Sequence, residues 1–451
     1  MIDRSAMNTG AEGGLAASLK RAAGRLKKFW SDADATPTAK DWRRRLATLA
    51  GAVLLGAAAL GFAALGDWAQ RQFAQLTRAL PYAPLLLTPA VFAAVVFLTQ
   101  RFVPEARGSG IPQVMAAARV HTEAATSALC SLKTAAAKAV LTISILLAGG
   151  AVGREGPTVQ LSAAIMVAVH RLLRVPITAG VLIAGGAAGV AAAFNTPLAG
   201  VAFAIEELAA AYEQRVAVLV MGAVMIAGFV SLGVAGDYVY FGVMHNRLSL
   251  QQSMLAAPII GVVGGLLGGA FSKTLLWYSN ATEGLPARLR KRPILLALAC
   301  GLVVAVLGVA TGMTWGTGYE PTRALVEGQG GPLFFGPAKF IATVATALSG
   351  APGGIFAPSL AVGAGLGNLM MPLFAGAPPG AIAVLAMAAY FVGVVRAPLT
   401  AVIILSETTA SHGVILPLFA TALIADATAR LVSRERLYHG LSKGFTPQVT
   451  G

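Results

Sequence analysis

The sequence predicts an all-α polytopic membrane protein built from two repeated halves, and three observations carry that prediction. Of 451 residues, 56% are hydrophobic and only 12% charged, with a mean hydropathy of +0.73; soluble domains carry about 45–50% apolar and roughly 25% charged residues. Apolar stretches recur from about Leu46 to about Val432, and LATLAGAVLLGAAALGFAAL, Leu46 to Leu65, matches the ~20 residues a helix needs to cross a bilayer. Pro157 and Pro197 are separated by the same 40 positions as Pro358 and Pro398, so a second copy follows the first at an offset of 201.

Taken in order, residues 1–45 form a cytoplasmic N-terminal segment in which LAASLKRAAGRLKKFW repeats apolar and basic positions at helical spacing. It is expected to lie as an amphipathic helix on the membrane face. The absence of an apolar h-region before Leu46 argues against a cleavable signal peptide, and Trp30 and Trp42 read as interfacial anchors. Residues 46–235 are assigned to transmembrane repeat 1, 236–441 to repeat 2, and 442–451 to a short cytoplasmic tail. Both termini are thus expected in the cytoplasm, with function residing in the membrane part. Several apolar runs are short or broken by Gly and Pro, as in MAAYFVGVVRAPLTAVIILSE, the pattern of helices that stop partway and line a polar cavity.

The repeat holds in detail. At the same offset Lys138 meets Lys339, Thr142 meets Thr343, Gly149 meets Gly350, and PLAGVAFAIE from Pro197 meets PLTAVIILSE from Pro398, so that Glu206 registers with Glu407. Duplicated halves are a recurrent plan of secondary transporters, whose sites lie near the midplane between the halves. The net charge of +15 sits largely in segments flanking the apolar runs. It is read as positive-inside loops and anionic-lipid contact rather than a nucleic-acid surface. Cys130 and Cys300 stand at no metal-ligand spacing and read as small core residues.

Chemistry is expected at the glycine-rich breaks. GREGP in the first copy and GGIFAP in the second occupy equivalent places, each before an apolar run, so each proline falls at a helix start, where its missing N–H matters least. A helix N-terminus offers unpaired N–H groups and about half a positive charge, a ready anion site. GSGIP, Gly108 to Pro112, adds a third break and the hydroxyl of Ser109. Arg154 would raise the local positive potential. Glu155 would put a carboxylate where an anion otherwise binds, so that proton uptake by Glu155 and anion entry become linked. The alternative for this charged pair is a salt bridge between neighbours or a capping glutamate. Glu206, matched by Glu407, reads as structural; Glu207 meets Thr408 and breaks the symmetry, which makes it a candidate for onward proton transfer.

GSGIP, GREGPTVQ, FNTPLAGVAFAIEEL, SGAPGGIFAP and RAPLT, in this order and spacing, resemble the CLC family of chloride channels and chloride/proton antiporters, in its prokaryotic form. The resemblance runs from about Leu46 to about Leu441. It implies a homodimer in which each subunit holds its own anion pathway, built from two inverted-topology repeats of tilted and partial helices. It implies that Ser109, the backbone of Ile355 and Phe356, and Tyr438 bind chloride, that Glu155 is the gate and outer proton-transfer group, and that Glu207 is the inner one. LYHGL departs from the commoner serine-containing form after the tyrosine, which makes Tyr438 the less specific of these matches. No nucleotide-binding CBS segment is recognisable, and retention of Ser109 and of the proline of GREGP favours chloride over nitrate or fluoride.

The expected function is therefore proton-coupled chloride exchange in a bacterial inner membrane, an expectation to which the alanine- and arginine-rich composition contributes, with membrane lipid as surroundings and no cofactor, metal or nucleic acid. A passive voltage- or pH-gated chloride channel is the alternative. An intramembrane enzyme would need an activated nucleophile or metal site. None of His121, His170, His245, His412 and His439 lies at i, i+4 from another or near a G-x-S-x-G break, and all five read as interfacial or loop residues.

Overall fold

The computed structural model describes residues 39–120, 122–208, 214–236, 239–244, 248–409 and 412–445. The amphipathic segment at 15–30, Trp30, His121 and His245 lie outside them. The chain divides into two units, residues 1–46 and 47–451. In the first, Trp42 is exposed and the Arg45 guanidinium lies 5.7 Å from its ring centroid.

Helices follow one another in the same succession in two halves of the chain, apart from the unmatched short helices Glu123–Leu129 and Gly284–Arg290. A long helix that begins at Ala39 and ends at Ala79 corresponds to Leu250–Asn280, Pro84–Phe102 to Pro293–Thr311, Ile111–Val120 to Tyr319–Val326, and Leu132–Leu147 to Phe335–Leu348. Glu155–Leu172 then corresponds to Phe356–Met370, Ala179–Phe194 to Pro379–Val395, Pro197–Phe203 to Pro398–Thr408, and Gln214–Ala235 to Ile415–Val432. Among the described residues eight helices are long and apolar enough to cross a membrane, while Ala179–Phe194 and Pro379–Val395 are shorter. Those two short helices are buried on every face from Gly180 to Phe194 and from Gly380 to Val395. Apolar sequence all round a helix has nowhere to present a polar side, so it belongs inside. Outer helices instead carry bare apolar side chains such as Val218, Phe229, Leu302 and Leu423, as lipid contact requires.

A two-fold relation between the halves is visible in contacts between equivalent residues. Gly153 and Gly354 form an isolated antiparallel bridge, the N–H of Gly153 donating to the Gly354 carbonyl at 2.7 Å and that of Gly354 to the Gly153 carbonyl at 2.8 Å. The Glu206 carboxylate accepts from the N–H groups of Leu399 (2.9 Å) and Thr400 (2.7 Å). Glu407 returns the contact, accepting from Leu198 (3.3 Å) and Ala199 (2.9 Å). Each glutamate thus caps the N-terminus of the helix that leads to the other, a charge-assisted contact of about 1 kcal/mol. Copies related by a two-fold axis meet in this reciprocal way. Equivalent left-handed turns occur at Gly149 (φ 74°) and Gly350 (φ 77°), and at Asn195 (φ 57°) and Arg396 (φ 65°).

The two lysines of the repeat have matching work. Lys138 Nζ donates to the carbonyls of Arg107 (3.1 Å) and Gly108 (2.6 Å), and Lys339 Nζ to those of Thr314 (2.9 Å) and Gly316 (2.7 Å). Both are fully buried. Each ties a glycine-rich loop whose carbonyls point inward and would otherwise lack partners. Cys130 and Cys300 are free and buried in the apolar core.

Candidate functional site

The three breaks meet. The Gly353 N–H donates to the Gly108 carbonyl at 3.1 Å, Gly153 is bridged to Gly354, and Gly156 packs on Ser109. A Cβ at Gly156 would lie 2.3 Å from Ser109 Oγ and 2.8 Å from its carbonyl oxygen, so only glycine lets these backbones approach so closely. Pro157 and Pro358 fall in the first turns of Glu155–Leu172 and Phe356–Met370. Neither helix has a side-chain cap, which leaves its leading N–H groups turned towards the junction.

Into this junction project polar groups that the fold leaves without good partners. Ser109 Oγ, both carboxylate oxygens of Glu155 and the Tyr438 hydroxyl are buried and make no well-formed hydrogen bond. Glu155 is fully buried. Its carboxylate lies beside its own N–H and that of Ala357, and a Cβ at Gly153 would lie 2.2 Å from Oε2 and 3.4 Å from Ala357 N. A carboxylate of the first half therefore sits against the helix N-terminus of the second. Tyr438, on the short helix Leu437–Lys443, is held against the Phe356 ring, centroids 6.0 Å apart. Phe356 also packs edge-on to Phe391 at 4.9 Å and Phe203 at 5.7 Å. Tyr438 interacts with Ser109 and is within electrostatic reach of both Glu155 and Glu207.

Arg154 and Glu155 do not form the neighbour salt bridge. The Arg154 guanidinium turns away to Asp67, Nη1 to Oδ1 2.6 Å, donates to the Ala63 carbonyl at 2.6 Å and lies 6.0 Å from the Tyr240 ring centroid. Its charge is therefore shared with a half-exposed carboxylate rather than standing alone. A cavity of about 1340 Å³ opens beside it, lined among others by Asp67, Gln70, Arg154, Tyr240, Thr317 and Tyr319.

Glu207 lies 1% exposed in a wide π turn, Ala204–Leu208, that ends the Pro197–Phe203 helix. The turn sends Glu206 to its capping contact and Glu207 inward. Such one-turn bulges place side chains that a regular helix would aim elsewhere.

Two histidines depart from the sequence expectation. His170 is fully buried in the last turn of Glu155–Leu172, with Nδ1 2.8 Å from the Met166 carbonyl oxygen. His439 stands beside Glu207, Nδ1 to Oε1 3.4 Å, on the short helix Leu437–Lys443 that also carries Tyr438. His412 opens a short 3-10 turn.

A fourth break also went unread. Gly316-Thr317-Gly318 mirrors Gly108-Ser109-Gly110 in the other half, but at an offset of 208, since seven extra residues in the first half fold as the helix Glu123–Leu129. The GTG triplet was the available signal. Thr317 differs from Ser109 in being satisfied: its N–H and hydroxyl both donate to Gln70 Oε1, at 3.0 and 3.1 Å. Asp67 and Gln70 were missed as well, their only sequence mark being polarity at the end of a long apolar run.

With this geometry in view, a family model described as voltage gated chloride channel matches residues 90–430. This chain belongs to the CLC family. Its fold is shared with a slow cyanobacterial Cl-/H+ antiporter of known crystal structure, at TM-score 0.77 and 24% identity over 91% of this chain and 99% of that one. A eukaryotic CLC transporter matches at TM-score 0.71 and 24% identity over 89% of this chain and 74% of the other. A CLC-type fluoride/proton antiporter matches at 0.72 and 23% over 86% and 95%. The protein is thus a multi-pass membrane transport protein of the CLC family.

Proposed function

We propose that this protein exchanges chloride for protons across a bacterial inner membrane, with Glu155 as the side chain that trades places with the anion. One observation carries the reading: a buried carboxylate lies against the uncapped N-terminus of the Phe356–Met370 helix, beside the Ala357 amide. Helix N-termini hold anions through free N–H groups and their partial positive charge, so carboxylate and chloride compete for one set of donors. Protonation removes the carboxylate's charge and weakens its hold. Chloride then takes the same helix N-terminus, held by the backbone amides of Ile355 and Phe356 next to the vacated Ala357 amide, with the Ser109 and Tyr438 hydroxyls, which are buried without a well-formed hydrogen bond. That Thr317, the mirror of Ser109, is bound to Gln70 supports Ser109 as the hydroxyl that serves the anion.

The proton continues from Glu155 towards Glu207 past Tyr438, which is in electrostatic reach of both; bridging water is needed for the transfer itself. Chloride reaches Glu155 through the cavity beside Arg154, whose field draws anions and is tempered by Asp67. The likeness to a protein described as a slow cyanobacterial Cl-/H+ antiporter favours exchange over passive conduction. Two chains form a homodimer in lipid, each with its own pathway and with both termini in the cytoplasm.

The test is a simultaneous measurement of chloride and protons in proteoliposomes. A chloride gradient imposed without a pH gradient should drive protons uphill, opposite to chloride, and a proton gradient should drive chloride in return, as reciprocity of coupled equilibria requires. Chloride flux that moves no protons would decide for the channel.

A further inference from the structure

His439 is built as an edge between buried acid and solvent. Its helix, Leu437–Lys443, packs against Ile111–Val120, Leu250–Asn280 and Pro379–Val395, and the preceding Leu437 and Tyr438 are fully buried. His439 Nδ1 is buried and lies 3.4 Å from Glu207 Oε1. The pair is close but misaligned for a hydrogen bond in this rotamer. A third of the His439 side chain stays exposed, while that of Glu207 is wholly enclosed. The ring therefore presents one nitrogen to the acid and its open edge away from it.

The surrounding charges leave Glu207 as the partner. Glu206 is committed to Leu399 and Thr400, and Glu435 pairs with Lys443 at 2.5 Å. Arg436, at the start of the same helix, donates to the Glu206 carbonyl at 3.1 Å and acts on Glu207 electrostatically. The three helices packed against Leu437–Lys443 contribute Arg119, Lys273, Tyr278 and Tyr390 as titratable groups, and no acid.

We propose that His439 is the proton-entry residue of this chain, relaying protons between the aqueous side and the Glu207 carboxylate; the inference rests on the exchange function proposed above. A proton taken from water at Nε2 gives the imidazolium. Loss of the Nδ1 proton to Glu207 leaves the neutral Nε2–H ring and a carboxylic acid, and a half-turn of the ring about its Cβ–Cγ bond, which brings the remaining N–H to the acid and the bare nitrogen to water, readies it for the next proton. Each cycle moves one proton and leaves no net charge on the ring. Histidine suits this step because its two ring nitrogens let it accept a proton on one side and give one from the other, and positioned proton transfer of this kind contributes roughly 10²–10⁴-fold to rates.

The experiment compares the full-length wild type with His439→Ala, His439→Gln and Glu207→Gln in proteoliposomes, recording both ions across pH on the His439 side, with and without added imidazole. In His439→Ala and the shape-conserving His439→Gln, proton flux should fall roughly tenfold or more, and its pH profile should differ from that of wild type. Imidazole should restore proton flux in His439→Ala but not in Glu207→Gln. Wild-type proton flux and pH profile in both His439 variants would overturn the proposal, and so would a loss of both fluxes that imidazole does not relieve. A wild-type protein that moves chloride without protons would overturn the exchange function, and the relay with it, before any variant is compared.

Discussion

At the scale of single residues, function separates from structure along the symmetry of the repeat. Positions that keep their identity across the offset, Gly153 and Gly354, Lys138 and Lys339, Glu206 and Glu407, bridge, tie and cap. Those that break it, Glu155 facing Phe356 in register and Glu207 facing Thr408, are the two carboxylates proposed to move protons. Glu155→Ala removes the acid proposed to compete with chloride for the N-terminus of Phe356–Met370. A carboxylate at a helix N-terminus is worth about 0.3–2 kcal/mol, so chloride affinity measured by calorimetry should rise up to roughly thirtyfold. Wild-type chloride turnover should increase as pH falls, because proton uptake frees the donors; in Glu155→Ala it should be flat with pH and move no protons. Retained pH dependence would show that another group gates. Glu155 and Ser109 were legible because each sits inside a short contiguous motif. Asp67, 87 positions from Arg154, and His439, 232 positions after Glu207 in the chain, were not, since their pairings exist only after the helices pack.

At the scale of elements, two buried lysines hold two loops, and only one loop carries a candidate ligand. Lys138 Nζ binds the carbonyls of Arg107 and Gly108, immediately before Ser109, whereas Lys339 binds the mirror loop at Thr314 and Gly316. Replacing either by Met keeps the apolar stem and strands two buried carbonyls, at about 1–3 kcal/mol each. Both Lys138→Met and Lys339→Met should lower the thermal unfolding midpoint in detergent. Only Lys138→Met should also weaken chloride binding, because it loosens the loop that aims Ser109. Equal chloride affinity in the two variants would separate Ser109 from the anion site. The sequence paired these lysines through the 201-residue offset, yet it concealed the loops they bind. The inserted helix Glu123–Leu129 shifts the register from 208 to 201 between loop and lysine, and a gapless comparison loses the GSG and GTG match.

At the scale of the whole molecule, the candidate groups Ser109, Glu155, Ile355, Phe356, Tyr438 and Glu207 all come from one chain and lie where its two halves meet. Inversion brings helix N-termini of both halves to one place, which a single half cannot do. The outer helices Val216–Val234 and Ile415–Val432 keep apolar faces open to lipid or to another copy. In the homodimer proposed above, a closed two-fold assembly would therefore contain two complete and separate sites. Mixed dimers make this measurable. Differently tagged wild-type and Glu155→Ala chains, co-expressed and purified through both tags, should move protons at about half the rate of the wild-type dimer, with chloride flux equal to the mean of the two parents. Proton flux should then scale linearly with the fraction of wild-type chains. A shared pathway, in which each subunit lends groups to the other, would instead give a mixed dimer with almost no proton flux and a dependence on the square of that fraction, and such a result would contradict a site assembled within one chain.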